Sequence, residues 1–327
     1  MTKITVLGAG AWGTALARML AARNNEVTLW DHFPETIEAI RQSGRNERYL
    51  PGIELPAGLA AEPDAARAVA GAGLVVVASV SRGFRKATEC LRDFTGVVVS
   101  VTKGIEFETG HTMSDILEEN APRARIVAMS GPTLALEVAR GVPTAIVAAS
   151  EDEAAAQIVQ ALFHSPAFRV YTSTDIHGVE LGGALKNVIA IGAGVCDGLG
   201  FGDNSKAALV TRAIAEMRRL GVACGAQADT FTGLSGLGDL MVTCFSRLSR
   251  NRGFGERLGK GEKVEAIVAS MTAVAEGYPT ARSARELARR HKVETPIIEE
   301  VYAMLYDGKD VRQAVQDLTA RESKAED

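Results

Sequence analysis

The stretch "KITVLGAGAWGTALARMLAAR" near the N-terminus restricts the fold more than any other. A short β-rich run meets Gly8, Gly10 and Gly13 in the spacing G-x-G-x-x-G, and a helical pattern opens directly behind them. Alone the spacing is a weak signal, because glycine-rich turns are common. Between a strand and a helix it has the context that a dinucleotide-binding loop requires. Gly8 then permits the tight turn, Gly10 lets the backbone approach a pyrophosphate, and Gly13 lets helix and strand close together. The unpaired N–H groups of the helix N-terminus face the anion.

The rest of the first half repeats the alternation. Short Val/Ile-rich runs at 3–8, 26–30, 74–80, 97–101, 125–129, 144–150 and 168–172 are long enough for strands and too short for typical helices. Between several of them lie helical patterns such as "GFRKATECLRD", "HTMSDILEEN" and "EDEAAAQIVQALFHS". Continuous apolar strands separated by helices predict a mostly parallel sheet covered on both faces. From about residue 173 onward only helical patterns remain, separated by glycine-rich breaks. In "SKAALVTRAIAEMRRLG", Asn204 or Ser205 is expected to cap the start and Gly221 to stop the helix. The expected architecture is α/β: a Rossmann-type doubly wound sheet over 1–175, followed by an all-helical domain over 176–327.

Composition narrows the partners. With 36 basic and 40 acidic residues the formal charge is −4, and no long basic run marks a nucleic-acid surface. Cys90, Cys196, Cys224 and Cys244 form no Cys-x-x-Cys pair, so neither a disulfide framework nor a zinc site is expected. The longest uninterrupted apolar runs, such as 74–80, fall short of the roughly 18 residues that span a bilayer. The N-terminus lacks a signal peptide's apolar region, so the expectation is a cytoplasmic protein without a membrane span.

Candidate chemistry follows the strands. "VTKGIE" places Lys103 just past a strand's carboxyl end, where open parallel sheets bind ligands, and "MSGPT" brings Gly131 and Thr133 to the same crevice. Lys186 stands in the helical stretch "ELGGALKNVIAIGAGVCDGLG", with Gly182, Gly183, Ile189 and Ala190 as its helical neighbours. Burial there would lower its pKa toward the range of general acid–base work. Asn187 beside it could orient an oxygen or merely solvate the helix. Asp239 in "GLGDLMVTC" either caps the next helix or fixes the charge and orientation of Lys186. Ser249, Arg250 and Asn251 offer a hydroxyl, a bidentate cation and an amide in succession, which suits a phosphate. At the end of the second strand, Asp31 matches a ribose-binding carboxylate, whereas His32 could meet a 2′-phosphate. These residues alone leave NAD and NADP open.

Taken in order, "GAGAWGTALA", "VTKGIE", "SGPT", "LGGALKNVIAIGAG", "GLGDLMVTC", "LSRNRGFG" and "VAEGYPT" resemble the bacterial NAD(P)-dependent glycerol-3-phosphate dehydrogenases over nearly the whole chain. The resemblance implies interconversion of dihydroxyacetone phosphate and sn-glycerol 3-phosphate for glycerophospholipid synthesis. It makes Lys186 the proton donor and acceptor, with Lys103 and Asp239 at the reacting centre and Thr243 and Asn187 assisting. Gly131 and Thr133 would touch substrate, and Ser249, Arg250 and Asn251 would hold its phosphate. Ala11, Trp12, His32, Lys103, Ala135, Arg250, Val274 and Glu276 would contact the cofactor. NADPH is the expected cofactor, with NADH as the alternative and no metal. Two departures stand out: Ala11 replaces the family's usual serine, and His32 occupies a position where many members have arginine. A homodimer is the base-rate expectation. A hydroxyacid or ketopantoate dehydrogenase would share the glycine loop without needing the Ser-Arg-Asn grip, and a silent nucleotide sensor would have no use for both lysines and Asp239.

Overall fold

The computed structural model describes residues 2–271 and 273–322. Eight strands form one sheet: β1 Lys3–Leu7, β2 Glu26–Trp30, β3 Leu59–Ala61, β4 Leu74–Val77, β5 Val97–Ser100, β6 Arg125–Ser130, β7 Thr144–Ala149 and β8 Phe168–Ser173. Their spatial order is β3-β2-β1-β4-β5-β6-β7-β8. The strands from β3 to β6 pair in parallel, β7 pairs antiparallel to β6, and β8 runs parallel to β7. The reversal at β7 has a local cause. Between β6 and β7 only the short helix Ala135–Ala139 intervenes, whereas a parallel crossover normally carries a longer helix across the sheet.

Both sheet faces are sealed. Ile4, Val6, Leu16, Leu20, Val76 and Val99 form part of one apolar cluster, while Leu7, Val75, Val77, Val98, Ile116 and Leu117 belong to another. β4 and β5 are buried along their whole length, which is why they read as continuous valine runs rather than alternating patterns. The predicted run 74–80 ends as a strand at Val77, and Ala78 beyond it packs against Gly8 and Gly13. The edge strand β3 lies in "PAGLAAEP", where no β-branched run announces it.

At the first loop, Gly8 has φ +113°, and a Cβ on Gly13 would lie 1.9 Å from the Gly8 carbonyl oxygen. A Cβ on Gly10 would meet nothing within 4 Å. Gly13→Ala should therefore cost about 1–3 kcal/mol through overpacking, while Gly10→Ala leaves the thermal midpoint in place. Equal melting of the two variants would refute this account of the loop.

Beyond Ser173, all regular structure among the described residues is helical. The helix Ile176–Gly198 runs through the centre of this half and is buried along most of its length. It spans 23 residues with a mean hydropathy of 1.4 over its most apolar window, so by length and composition it could cross a membrane, which no uninterrupted apolar run suggested. Inside the protein 94 % of that window is buried. The helix Arg250–Gly259 packs tightly against it because both carry glycine at the crossing: a Cβ on Gly255 would lie 1.9 Å from Ile191 O, and one on Gly194 2.0 Å from Arg252 O. The helix Asp203–Ala223 starts after Gly202, before the expected caps Asn204 and Ser205, and continues through Gly221. There glycine makes room for the Phe231 ring, 2.0 Å from where a Cβ would stand, instead of ending the helix.

Candidate active site

Three groups of side chains meet at the carboxyl ends of the parallel strands. The first surrounds the glycine loop. Gly10 precedes the helix Ala11–Ala21 without a side-chain cap, so the first-turn N–H groups of Ala11, Trp12 and Gly13 stand at an uncapped helix N-terminus. Asp31 is buried, and its carboxylate accepts from Ala9 N–H at 2.6 Å and Phe33 N–H at 3.0 Å. It is thus neither a solvated strand-end residue nor a free carboxylate. His32 is exposed and meets the edge of the Phe33 ring. On the loop's other side, buried Asn46 donates through Nδ2 to Ala9 O at 2.7 Å and to Thr14 Oγ1 at 2.8 Å. Nothing in "SGRNERYLPG" marks Asn46 for this task, since asparagine before a turn is ordinary.

The second group is a pair of lysines on one carboxylate. Lys103, beyond β5, donates to Gly131 O at 3.1 Å and forms a short ion pair with Asp239 Oδ2. Lys186, from the buried helix Ile176–Gly198, lies 3.0 Å from Asp239 Oδ1 and donates to Thr243 Oγ1 at 2.7 Å. Thr243 in turn donates to Asp239 O at 2.6 Å, one turn back along the helix Asp239–Phe245. Gly238 is the cap of that helix, so Asp239 sits in its first turn with its side chain committed to the lysines. Burial pushes the Lys186 amine down to about 8; Lys103 adds to the shift and Asp239 opposes it. Thr133 hangs at the rim, its hydroxyl donating to Gly131 O at 3.1 Å, and Ala135 opens the helix behind it.

The third group links the helical half to the sheet. Asn251 donates to Asn187 Oδ1 at 2.8 Å and accepts from Gly277 N–H at 2.9 Å. Ser249 caps the helix Arg250–Gly259 by accepting from Arg252 N–H, which puts Ser249, Arg250 and Asn251 at that helix's positive end. Among the described residues Arg250 has no ion pair within 4.0 Å, and the Glu276 carboxylate acts on it electrostatically. Val274 is exposed, and Glu276 accepts from Ser81 of the other half. Ser81 carried no signal in the sequence.

Two family models cover the chain: the N-terminus of NAD-dependent glycerol-3-phosphate dehydrogenase matches residues 3–156 and its C-terminus matches residues 175–316. The chain belongs to this family. The glycerol-3-phosphate dehydrogenase [NAD(P)+] of Chlorobium phaeobacteroides is 46 % identical over 99 % of either chain, and that of Trichlorobacter lovleyi is 50 % identical at the same coverage. The crystal structure of glycerol-3-phosphate dehydrogenase from Coxiella burnetii superimposes with a TM-score of 0.95 at 35 % identity, covering 98 % of this chain and 99 % of the other. As a glycerol-3-phosphate dehydrogenase family member, the protein is an NAD(P)-dependent oxidoreductase acting on a CH–OH group. Its first crevice fits the cofactor's pyrophosphate, because the uncapped helix offers N–H donors and the space above Gly10 is open. Among the described residues no group of three His, Cys, Asp or Glu side chains could hold a metal ion.

Proposed function

We propose that the protein reduces dihydroxyacetone phosphate to sn-glycerol 3-phosphate, reversibly, with Lys186 as the proton donor in reduction and the acceptor in oxidation. The observation carrying this reading is the bridge by which Asp239 holds Lys103 and Lys186 at the mouth of β5 and β6. The bound reduced nicotinamide supplies the hydride. Lys186, with a pKa near 8, has a proton to give at neutral pH and can take one back. Lys103 places a second positive charge where the substrate oxygen gains electron density, and Asp239 fixes both ammonium groups. Thr243 completes the orientation of Lys186, and Asn187 orients Asn251. Ser249, Arg250 and Asn251 hold the phosphate at a helix N-terminus, with Gly131 and Thr133 closing the rim. The product would feed glycerophospholipid synthesis.

For the cofactor, Gly8, Gly10, Ala11, Trp12 and Gly13 take the pyrophosphate side. Lys103, Ala135, Arg250, Val274 and Glu276 would hold the remainder of the cofactor. The Asp31 carboxylate is buried and accepts from two N–H groups, which leaves it less free to accept from a ribose hydroxyl, while His32 is exposed nearby. This favours NADPH, with NADH also used. A division into domains at 175/176, a homodimer and a cytoplasmic location without a membrane span complete the reading.

The test follows absorbance loss with dihydroxyacetone phosphate and either NADPH or NADH. Consumption with a higher kcat/KM for NADPH is expected. Turnover with neither would remove the substrate assignment, and a clear NADH preference would return Asp31 to the ribose.

A further inference from the structure

Ser81 follows β4 at the crevice mouth, on the sheet side, and is itself buried. Across the junction its backbone N–H donates to Glu276 Oε1 at 3.1 Å and its hydroxyl to Oε2 at 2.6 Å. The two bonds engage both carboxylate oxygens and thereby set the side chain's rotation. Ser81 is also wedged from behind. A Cβ on Gly104 would lie 2.4 Å from the Ser81 Cβ, so the glycine next to Lys103 lets the serine occupy this position.

Glu276 has an obvious competing partner. Arg250 lies close enough for the two charges to act on each other, yet no ion pair joins them among the described residues. An unrestrained carboxylate in a half-buried crevice is drawn to such a cation, because screening there is weaker than in water. An Arg250 so captured would no longer be free for a phosphate. Gly277, the next residue, is tied through its N–H to Asn251, so Glu276 stands between the two functional ends of the cleft.

We propose that Ser81 is a positioning residue: it holds Glu276 in place for the cofactor across the domain junction and keeps it from pairing with Arg250. The inference rests on the reading of Glu276 as a cofactor contact and Arg250 as a phosphate contact. Removing the Ser81 hydroxyl deletes one bond to a charged group, which can lower the population of the held Glu276 orientation by about tenfold and weakens cofactor affinity by up to the same factor.

The experiment is a double-mutant cycle on the full chain with Ser81→Ala and Glu276→Ala. It reads the dissociation constant of NADPH by quenching of protein fluorescence, the KM for dihydroxyacetone phosphate at saturating NADPH, and the thermal midpoint. Ser81→Ala should raise the NADPH dissociation constant up to about tenfold and also raise the KM, with only a small drop in the midpoint. Both increases should vanish when Glu276 is already alanine, since Ser81 acts only through it. Persistence of the full effect in the Glu276→Ala background, or no effect of Ser81→Ala alone, overturns the positioning role. If Glu276→Ala binds NADPH like the parent, the cofactor role of Glu276 fails first and the proposal falls with it. If Glu276→Ala weakens binding and Ser81→Ala does not, only the proposal falls.

Discussion

Lys186→Met should lower kcat for dihydroxyacetone phosphate reduction by about 10²–10⁴-fold, the range a positioned proton donor contributes, while NADPH affinity stays near the parent value. Methionine keeps most of the apolar stem within the buried helix. Asp239 retains Lys103 as its partner, so the substitution strands no carboxylate. The parent enzyme should carry the matching pH signature. Reduction needs the protonated amine, so its rate should hold below pH 8 and fall as pH rises through about 8. Oxidation needs the free amine and should show the opposite limb. Burial depresses this pKa below its unfolded value, so the Lys186 contribution to stability rises with pH above about 8, toward the ordinary lysine value of 10.5. A Lys186→Met enzyme with parental kcat, or a pH limb unchanged by its removal, would take Lys186 out of the chemistry.

Much of this arrangement is visible in the sequence because it depends on local pattern. The valine runs of β4 and β5 announce strands covered on both faces, and the strand–glycine–helix unit announces its loop. Lys103 and Gly131 are legible as crevice residues because each follows a strand immediately. What depends on distant packing is hidden. Gly221 looks like a stop but serves the Phe231 ring, and the helical stretch read over 180–200 gives no sign that it begins at Ile176 and is buried along most of its length. Asp239 has the sequence of a helix start, and only the meeting of β5, the central helix and its own helix gives it two lysines. Asn46 and Ser81 are small polar residues in segments that leave a helix or strand, where such residues are ordinary. Their partners, Ala9 O and the Glu276 carboxylate, lie too far along the chain for spacing to reveal them.

Asp239 is the point at which stability and chemistry are hardest to separate, and pH separates them. It is almost completely buried and makes the only carboxylate ion pairs of Lys103 and Lys186 among the described residues. Asp239→Ala leaves two like charges facing each other, and loss of one partner from a buried pair costs about 3–5 kcal/mol. Lys186 can escape much of that cost by losing its proton, since Asp239 is the group that holds its pKa up against burial. The variant's Lys186 pKa should therefore drop below the parent value of about 8. Two consequences follow from the sign. The extra destabilisation should be largest at acidic pH, where folding demands a charged and unpaired Lys186. It should shrink toward pH 9, where parent and variant both fold with the amine neutral. The rate of reduction at neutral pH should fall because less of Lys186 carries a proton, and its falling limb should begin at lower pH. Thermal midpoints of parent and variant at pH 6 and pH 9, read beside the two pH–rate profiles, check both. A stability gap independent of pH, with the rate limb unmoved, would mean that Asp239 supports the helix Asp239–Phe245 and does not govern the proton on Lys186.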